Sequence, residues 1–375
     1  MTYILMNTDK PVLKFDNEFT YIEVIDNQFL PFMLKDYIQT TSMKDFNKAL
    51  KDINCFRDFL AARTLNLSRE NAKTILNVAA LPQSIKTGER LKITLACRGL
   101  NMEDNFWIKE ETENIKFSDV NLRNRRLSEN SYDIAIIGNH ISATRDELMP
   151  DLMLGGMFPK YWHRNTDNGA IELWKTDKVG GLNSICEAEA SEYIIKAGGN
   201  STPYHIEKKD GLTFSVSKCF TDDKYSLVKA TDVMDWCNHT DKDLMTVLKP
   251  YMTTFADMVI SDYILGNTDR HFDNWGFLID NDTNAIFSLA PIYDLNQALV
   301  IDKLGKNEVF DDLIYEPIST SFKEAADRFY KYADLDFSGV KLPDGADKRF
   351  NRLKELCQRK INDTKQEENE AGLER

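Results

Sequence analysis

The chain has 375 residues, with 47 Lys and Arg against 60 Asp and Glu and a formal net charge of -13. It is long enough to bury one bilobal core or two to three domains, and its acidic balance argues against direct binding along a nucleic-acid backbone, which needs a dense basic surface. Six cysteines without C-x-x-C spacing indicate neither a zinc site nor a disulfide framework, and no window approaches the ~18 apolar residues of a membrane span.

The first residues lack a basic region followed by an apolar core, so a cytoplasmic protein is expected. Residues 2 to 34 alternate short β-rich runs (Tyr3–Met6, Val12–Phe15, Thr20–Ile25 and Phe29–Leu34) with turn clusters, which predicts a small antiparallel sheet. Phe46, Leu50, Ile53, Phe56, Leu60 and Ala61 recur at three and four, predicting a helix from Ser42 to Leu65. A second helix spans Ser68 to Leu81 and stops at Pro82. Leu91–Leu95 has the alternation of a strand, and the Arg-rich run at 121–126 reads as a solvated face.

From Asp151 the chain runs through Gly155-Gly156 to Lys160, where a backbone freed of side chains comes close to a ligand and its amides, with Lys160, can hold phosphate oxygens. Tyr161–Arg164 and Ala170–Trp174 flank Asp167-Asn-Gly169, a hairpin signal that puts Lys175 at the end of its second strand. A helix over 184–195 offers Glu187, Glu189 and Glu192. A further hairpin, Tyr204–Glu207 with Leu212–Lys218, leads into a connecting stretch, Lys218-Cys219-Phe220, whose backbone groups can pair with adenine. After Phe220 the pattern is mostly helical, ending in an apolar-faced helix from Leu248 to Leu265 that Gly266-Asn267 terminates.

The loop from Thr268 to Asn274 carries Asp269 and, five positions on, Asn274. This is the acid-to-amide spacing of a kinase catalytic loop, in which the acid faces the attacking hydroxyl and the amide oxygen holds a divalent cation. Trp275–Ile279 and Ala285–Leu289 form a β-hairpin around Asp280–Asn284, and its second strand returns Asp294 towards Asn274, so that both can share a divalent cation. Lys175 then matches the strand lysine that grips ATP phosphates and is itself fixed by a helix glutamate. Taken singly, Asp269 would be an ordinary acid at a helix stop; acid, amide, hairpin and second acid in this order point to phosphoryl transfer. The other histidines, His140, His163, His205 and His239, have no metal-ligand spacing, and His271 is expected to shape the Asp269 turn.

Asp269-Arg-His271-Phe-Asp-Asn274, with Tyr293-Asp294 where ordinary protein kinases have D-F-G, resembles the HipA-like serine/threonine kinases of bacteria, and more distantly the phosphatidylinositol kinases. The resemblance covers roughly residues 130 to 330. It singles out Glu187, because Cys186-Glu-Ala-Glu-Ala-Ser191 is similar to the family's N-E-x-x-A-S pattern. It implies an α+β, bilobal protein-kinase-like fold. The divisions are an N-terminal α+β region over 1–135, an antiparallel-sheet lobe over 136–220, a helical lobe over 221–362, and a disordered tail over 363–375. It also implies ATP and Mg²⁺ as cofactors, a protein Ser/Thr hydroxyl as acceptor, and an antitoxin protein as a partner, with no direct nucleic acid and no membrane. A lipid or small-molecule kinase on the same core, and a nucleotide-binding pseudokinase that acts by holding a partner, are the alternatives. The loop from Asp151 to Lys160 has no Ser or Thr, so self-phosphorylation of that loop has no acceptor here. Replacing Lys175 by Ala is expected to weaken ATP use without unfolding the chain.

Overall fold

The structure is a computed structural model that describes residues 1–358 except 43, 85, 179, 306 and 357, with the backbone alone for 307–309. β1 (Thr2–Asn7), β2 (Lys10–Asp16) and β3 (Ile22–Val24) are antiparallel neighbours. The fourth strand expected over Phe29–Leu34 is replaced by two single turns, Asn27–Phe29 and Phe32–Leu34. Asp26 accepts the Gln28 N–H at 3.0 Å and so starts a turn where the apolar run alone suggested extension.

Three helices follow, α1 (Phe46–Ala62), α2 (Ala72–Val78) and α3 (Thr87–Ala96). Asp45 caps α1 by accepting the Lys48 N–H. Its core face is Ala49, Asp52, Ile53, Phe56, Phe59 and Leu60, whereas Phe46 and Leu50, which belong to the predicted stripe, are exposed. α3 occupies the stretch expected as a strand. Leu91-Lys-Ile-Thr-Leu95 fits both periods, and packing decides: Leu91, Ile93 and Thr94 are buried, and the Thr94 hydroxyl donates to the Leu60 carbonyl of α1 at 2.7 Å. β4 (Phe106–Glu110) then completes the first sheet in the order β3-β2-β1-β4.

After α4 (Phe117–Val120) and α5 (Arg145–Leu152), whose N-terminus carries a Thr144–Glu147 capping box, the second sheet begins. β5 (Lys160–Arg164) and β6 (Ile171–Lys175) form the predicted hairpin, α6 (Leu182–Lys196) crosses behind, and β7 (Tyr204–Lys209) and β8 (Leu212–Lys218) close an antiparallel sheet ordered β5-β6-β8-β7. Lys160 is therefore the first strand residue rather than a loop residue.

Beyond Phe220 the chain does not turn helical at once. β9 (Tyr225–Lys229) comes first, then α7 (Ala230–His239), α8 (Leu244–Leu248) and α9 (Met252–Leu265). β10 (Gly276–Asp280) and β11 (Ala285–Leu289) form the expected hairpin, and β10 also pairs with β9. α10 (Val300–Lys303), the short pair β12 (Ile314–Tyr315) and β13 (Thr320–Ser321), and α11 (Phe322–Phe329) follow. Residues 344–356 and 358 are helical, and residues 357 and 359–362 of the expected helix, like the tail at 363–375, lie outside the described residues.

Hydrophobic burial organises these elements into three clusters. One centres on α9, with Phe255, Val259, Tyr263 and Ile264 against Trp275, Phe277, Phe322 and Phe329. A second spans the first and second sheets, joining Leu76 and Trp107 to Ile136, Tyr161 and Phe214. The third lies between the first sheet and α1, around Phe15 and Phe56. Among the described residues no helix is long and apolar enough to cross a membrane.

Candidate active site

A cleft of about 1600 Å³ runs between the second sheet and the helical part, and its lining takes in Gly155, Gly156, Lys160, Lys175, Lys218, Cys219, Phe220, Asp269, Asn274 and Asp294. Every predicted residue except the buried Glu187 thus faces one space. Glu187 reaches it through Lys175.

The centre is an ion triad. Lys175 Nζ donates to Glu187 Oε1 at 2.6 Å and to Asp294 Oδ1 at 2.7 Å. Glu187 is fully buried on α6, where Ser215 of β8 donates to its other oxygen at 2.5 Å. Burial alone would lower the Lys175 ammonium, but Asp294 and Glu187 hold it above its ordinary value. Burial would likewise raise the Asp294 carboxyl, and Lys175 and Lys160 instead hold it well below the usual carboxylate range.

Asp294 is fixed from several sides. Asn296 Nδ2 donates to its Oδ1 at 2.5 Å, and its own N–H donates to the Tyr204 hydroxyl at 3.3 Å. Its φ of 55° lies in the left-handed region, a conformation that costs a non-glycine residue energy and that clusters at functional positions. The chain before it is tied to the loop after α6, because Ile292 N–H donates to Asn200 O and Thr202 N–H donates to Ile292 O.

The loop carrying Asp269 is built on α9. Gly266 ends the helix with φ 66°, and Arg270, fully buried, folds back to donate to both Asp262 oxygens at 2.8 and 2.9 Å. The same guanidinium donates to the Tyr293 carbonyl at 2.8 Å and to the Asn274 carbonyl, so one side chain spans α9, the loop and the approach to Asp294. Asn274 Nδ2 donates to the Asp269 carbonyl at 2.8 Å, which leaves its Oδ1 as an acceptor. His271 Nδ1 accepts the Asp273 N–H at 3.2 Å, while Nε2 lies 4.0 Å from Asp269, so the imidazole shapes this turn. Burial raises the Asp269 carboxyl above its ordinary value, partly offset by His271. A carboxylate shifted that way is a better proton acceptor.

Opposite the triad, Gly156 has φ 79°, and a side-chain carbon there would collide with the Lys160 ammonium. Lys160 is buried, has no hydrogen bond or ion pair among the described residues, and is pulled down by burial to about 8. A buried cation beneath a glycine turn fits a phosphate group. Asn274 and Asp294 supply two protein oxygens, and among the described residues there is no cluster of three acids, histidines or cysteines for a metal. That donor set fits Mg²⁺, which is commonly held by one or two carboxylates together with substrate phosphates. At the connecting stretch, the Cys219 N–H already donates to Ile171 O at 2.9 Å, and the Phe220 ring stands 5.6 Å from that of Tyr293.

Several residues of this cleft are absent from the sequence reading. Asn296, two positions past Asp294, was within reach of a local pattern. Tyr204, Lys229 and Glu103 carry no local signal, because only the tertiary fold brings them to the cleft, and Ser215 and Arg69, buried behind its lining, carry none either. Arg69 is buried beside the glycine turn, where Nη1 donates to the Leu154 carbonyl at 3.4 Å.

Residues 206–364 match the HipA-like C-terminal domain family. The fold is similar to that of HipA of Shewanella oneidensis, solved as a toxin-antitoxin complex with HipB and operator DNA. The match has a TM-score of 0.55 at 14% identity and covers 95% of this chain and 88% of that one. In sequence, 104 residues are 32% identical to the serine/threonine-protein kinase CtkA of Helicobacter pylori, over 28% of this chain and 28% of that protein's length. The crystal structure of a Helicobacter pylori kinase CtkA matches with a TM-score of 0.37 at 18% identity, over 54% of this chain and 90% of that one.

Proposed function

We propose that the chain is an ATP- and Mg²⁺-dependent kinase of HipA-like type that phosphorylates a serine or threonine hydroxyl of a protein. The observation that carries this is the Lys175–Glu187–Asp294 triad facing the same cleft as Asp269 and Asn274. The antiparallel sheet over 136–220 and the helical part over 221–362 act as two lobes with the nucleotide between them. Residues 1–135 form a region packed on that core. A HipB-like antitoxin partner belongs to the same proposal, and with a net charge of -13 any contact with DNA would depend on such a partner.

In this scheme Lys160, Lys175 and the amides around Gly155-Gly156 hold the phosphates, and Lys218 to Phe220 border the adenine. Asn274 Oδ1 and Asp294 would hold Mg²⁺, which when bound would supply neutralisation of the phosphate charge. Asp269 accepts the proton of the acceptor hydroxyl as its oxygen bonds to the γ-phosphorus and the bond to the departing ADP oxygen breaks.

The test combines transfer from γ-labelled ATP to a lysate with calorimetric titration of Mg·ATP. Asp269→Asn should leave nucleotide affinity nearly intact and reduce turnover on the order of 10²-fold or more. Asp294→Asn should lose metal-dependent binding as well as turnover. Unaltered binding and transfer in both variants would refute the assignment. A parent that binds Mg·ATP but transfers nothing would favour the pseudokinase.

A further inference from the structure

Lys160 and Lys175 approach the cleft from the second sheet. A third lysine, Lys229, enters from the opposite wall, at the end of β9. The β9–β10 ladder sets it across from Gly276, two residues past Asn274. Its ammonium nevertheless extends to the glycine turn, 3.9 Å from where a side-chain carbon on Gly155 would stand. A single cation therefore reaches from the catalytic-loop wall to the turn that would cover the phosphates.

Its partner comes from the first 135 residues. Glu103 Oε2 lies 3.4 Å from Lys229 Nζ, and the two side chains are 32% and 31% exposed. The segment around Glu103 is pinned to the connecting stretch: Thr221 Oγ1 donates to the Met102 carbonyl at 2.7 Å, and Leu227 N–H to the Glu103 carbonyl at 2.8 Å. Asp104 beside it is forked to Arg63 at 2.7 and 2.8 Å. Asp273 and Asp232 also face the ammonium. Glu103 above all, with these two acids and against burial, raises Lys229 to about 12, so the charge persists throughout the neutral range.

We infer that Lys229 is a phosphate-binding residue held in reserve by Glu103, and that nucleotide entry exchanges the Glu103 carboxylate for oxygens of the phosphate chain beside Gly155. This rests on the nucleotide reading of the cleft. Glu103 gives the ammonium a single carboxylate at 3.4 Å, whereas a phosphate chain offers it several charged acceptors at once. Glu103 thus acts as a competitor supplied by the N-terminal region.

The test is calorimetric titration of the full chain with Mg·ATP, Mg·ADP and adenosine. Lys229→Met should lose about tenfold or more in affinity for ATP and ADP, with adenosine unchanged, and Lys229→Arg should restore most of it. Glu103→Gln should have the opposite sign and tighten ATP severalfold. A purely structural ion pair would weaken with either change and leave the ATP-to-adenosine ratio constant, which would overturn the inference. So would parent-like ATP affinity in Lys229→Met when the parent itself binds ATP, and in that case the nucleotide reading stands. A parent that binds neither ATP nor adenosine removes both. Should Lys229→Met fail to fold by circular dichroism, Lys229→Arg and Glu103→Gln decide: Arg near the parent with Gln tighter supports the exchange, and Gln weaker or unchanged overturns it.

Discussion

Lys160 and Lys175 are register partners across one rung of the β5–β6 ladder, yet their electrostatics are opposite. Lys175 sits between two acids, and removing it strands Glu187, which is fully buried. Contrary to the expectation drawn from its strand-end position, Lys175→Ala should therefore lower stability as well as nucleotide use, by about 3–5 kcal/mol for a broken buried pair; urea midpoints measure the difference. Lys160 should behave the other way. It faces Asp294, Lys175, Arg69 and Glu187, and burial brings it to about 8, below the ordinary 10.5. Between those values the unfolded chain binds the proton more than the folded one, so this group makes stability rise with pH across that window. Phosphates would favour the charged form, and binding of Mg·ATP above pH ~8 should take up a proton. The uptake shows as a binding enthalpy that varies with the buffer's ionisation heat. It should vanish in Lys160→Met, whose folded state should be no less stable than the parent at pH 7. Buffer-independent heats in the parent at pH ~8.5 would rule the proton uptake out.

At the scale of elements, the loop bearing Asp269 keeps its shape because Arg270 returns to α9. Asp262 receives the guanidinium fork, Asn267 Nδ2 at 2.8 Å and the Tyr315 hydroxyl at 2.9 Å, all in the interior. Arg270→Leu leaves that carboxylate without its cation and should cost about 3–5 kcal/mol. Arg270→Lys should recover only part, since one ammonium cannot fork to both oxygens while reaching Tyr293 and Asn274. Denaturant midpoints of the two variants check this, and equal midpoints would show that the fork contributes no stability. The loop's arrangement was legible in sequence because its residues are neighbours: Asp269, Asn274, the hairpin and Asp294 follow one another with little intervening chain. So were β5, β6 and Lys175, through the Asn-Gly turn. What escaped is non-local. β4 is a strand because β1 pairs with it from a hundred residues away, and β9 because β10 does. Leu91–Leu95 offered two periods, and α1 selected the helix.

At the scale of the whole molecule, the proposed division at 135/136 cuts through a shared core. Leu76, Trp107 and Leu122 on one side pack in the same cluster as Ile136, Tyr161, Trp162 and Phe214 on the other. Polar ties cross as well, among them Asn284 Nδ2 donating to the Gln28 and Leu30 carbonyls at 2.7 and 2.9 Å and Asn105 Nδ2 donating to the Asp223 carbonyl at 3.1 Å. A chain of residues 136–375 would open large aromatic surfaces of the second sheet to water, at roughly 25 cal/mol for each Å² of apolar area exposed. It would also lose the wall of the cleft that carries Glu103. We therefore expect that fragment to lack a cooperative unfolding transition, to bind a hydrophobic dye and to associate, whereas the full chain unfolds cooperatively. Thermal unfolding and sedimentation of the two chains side by side provide the measurement. A fragment that stays monomeric, melts cooperatively and binds Mg·ATP would show that the sheet and the helical part fold as an independent unit, and that the first 135 residues only modulate it.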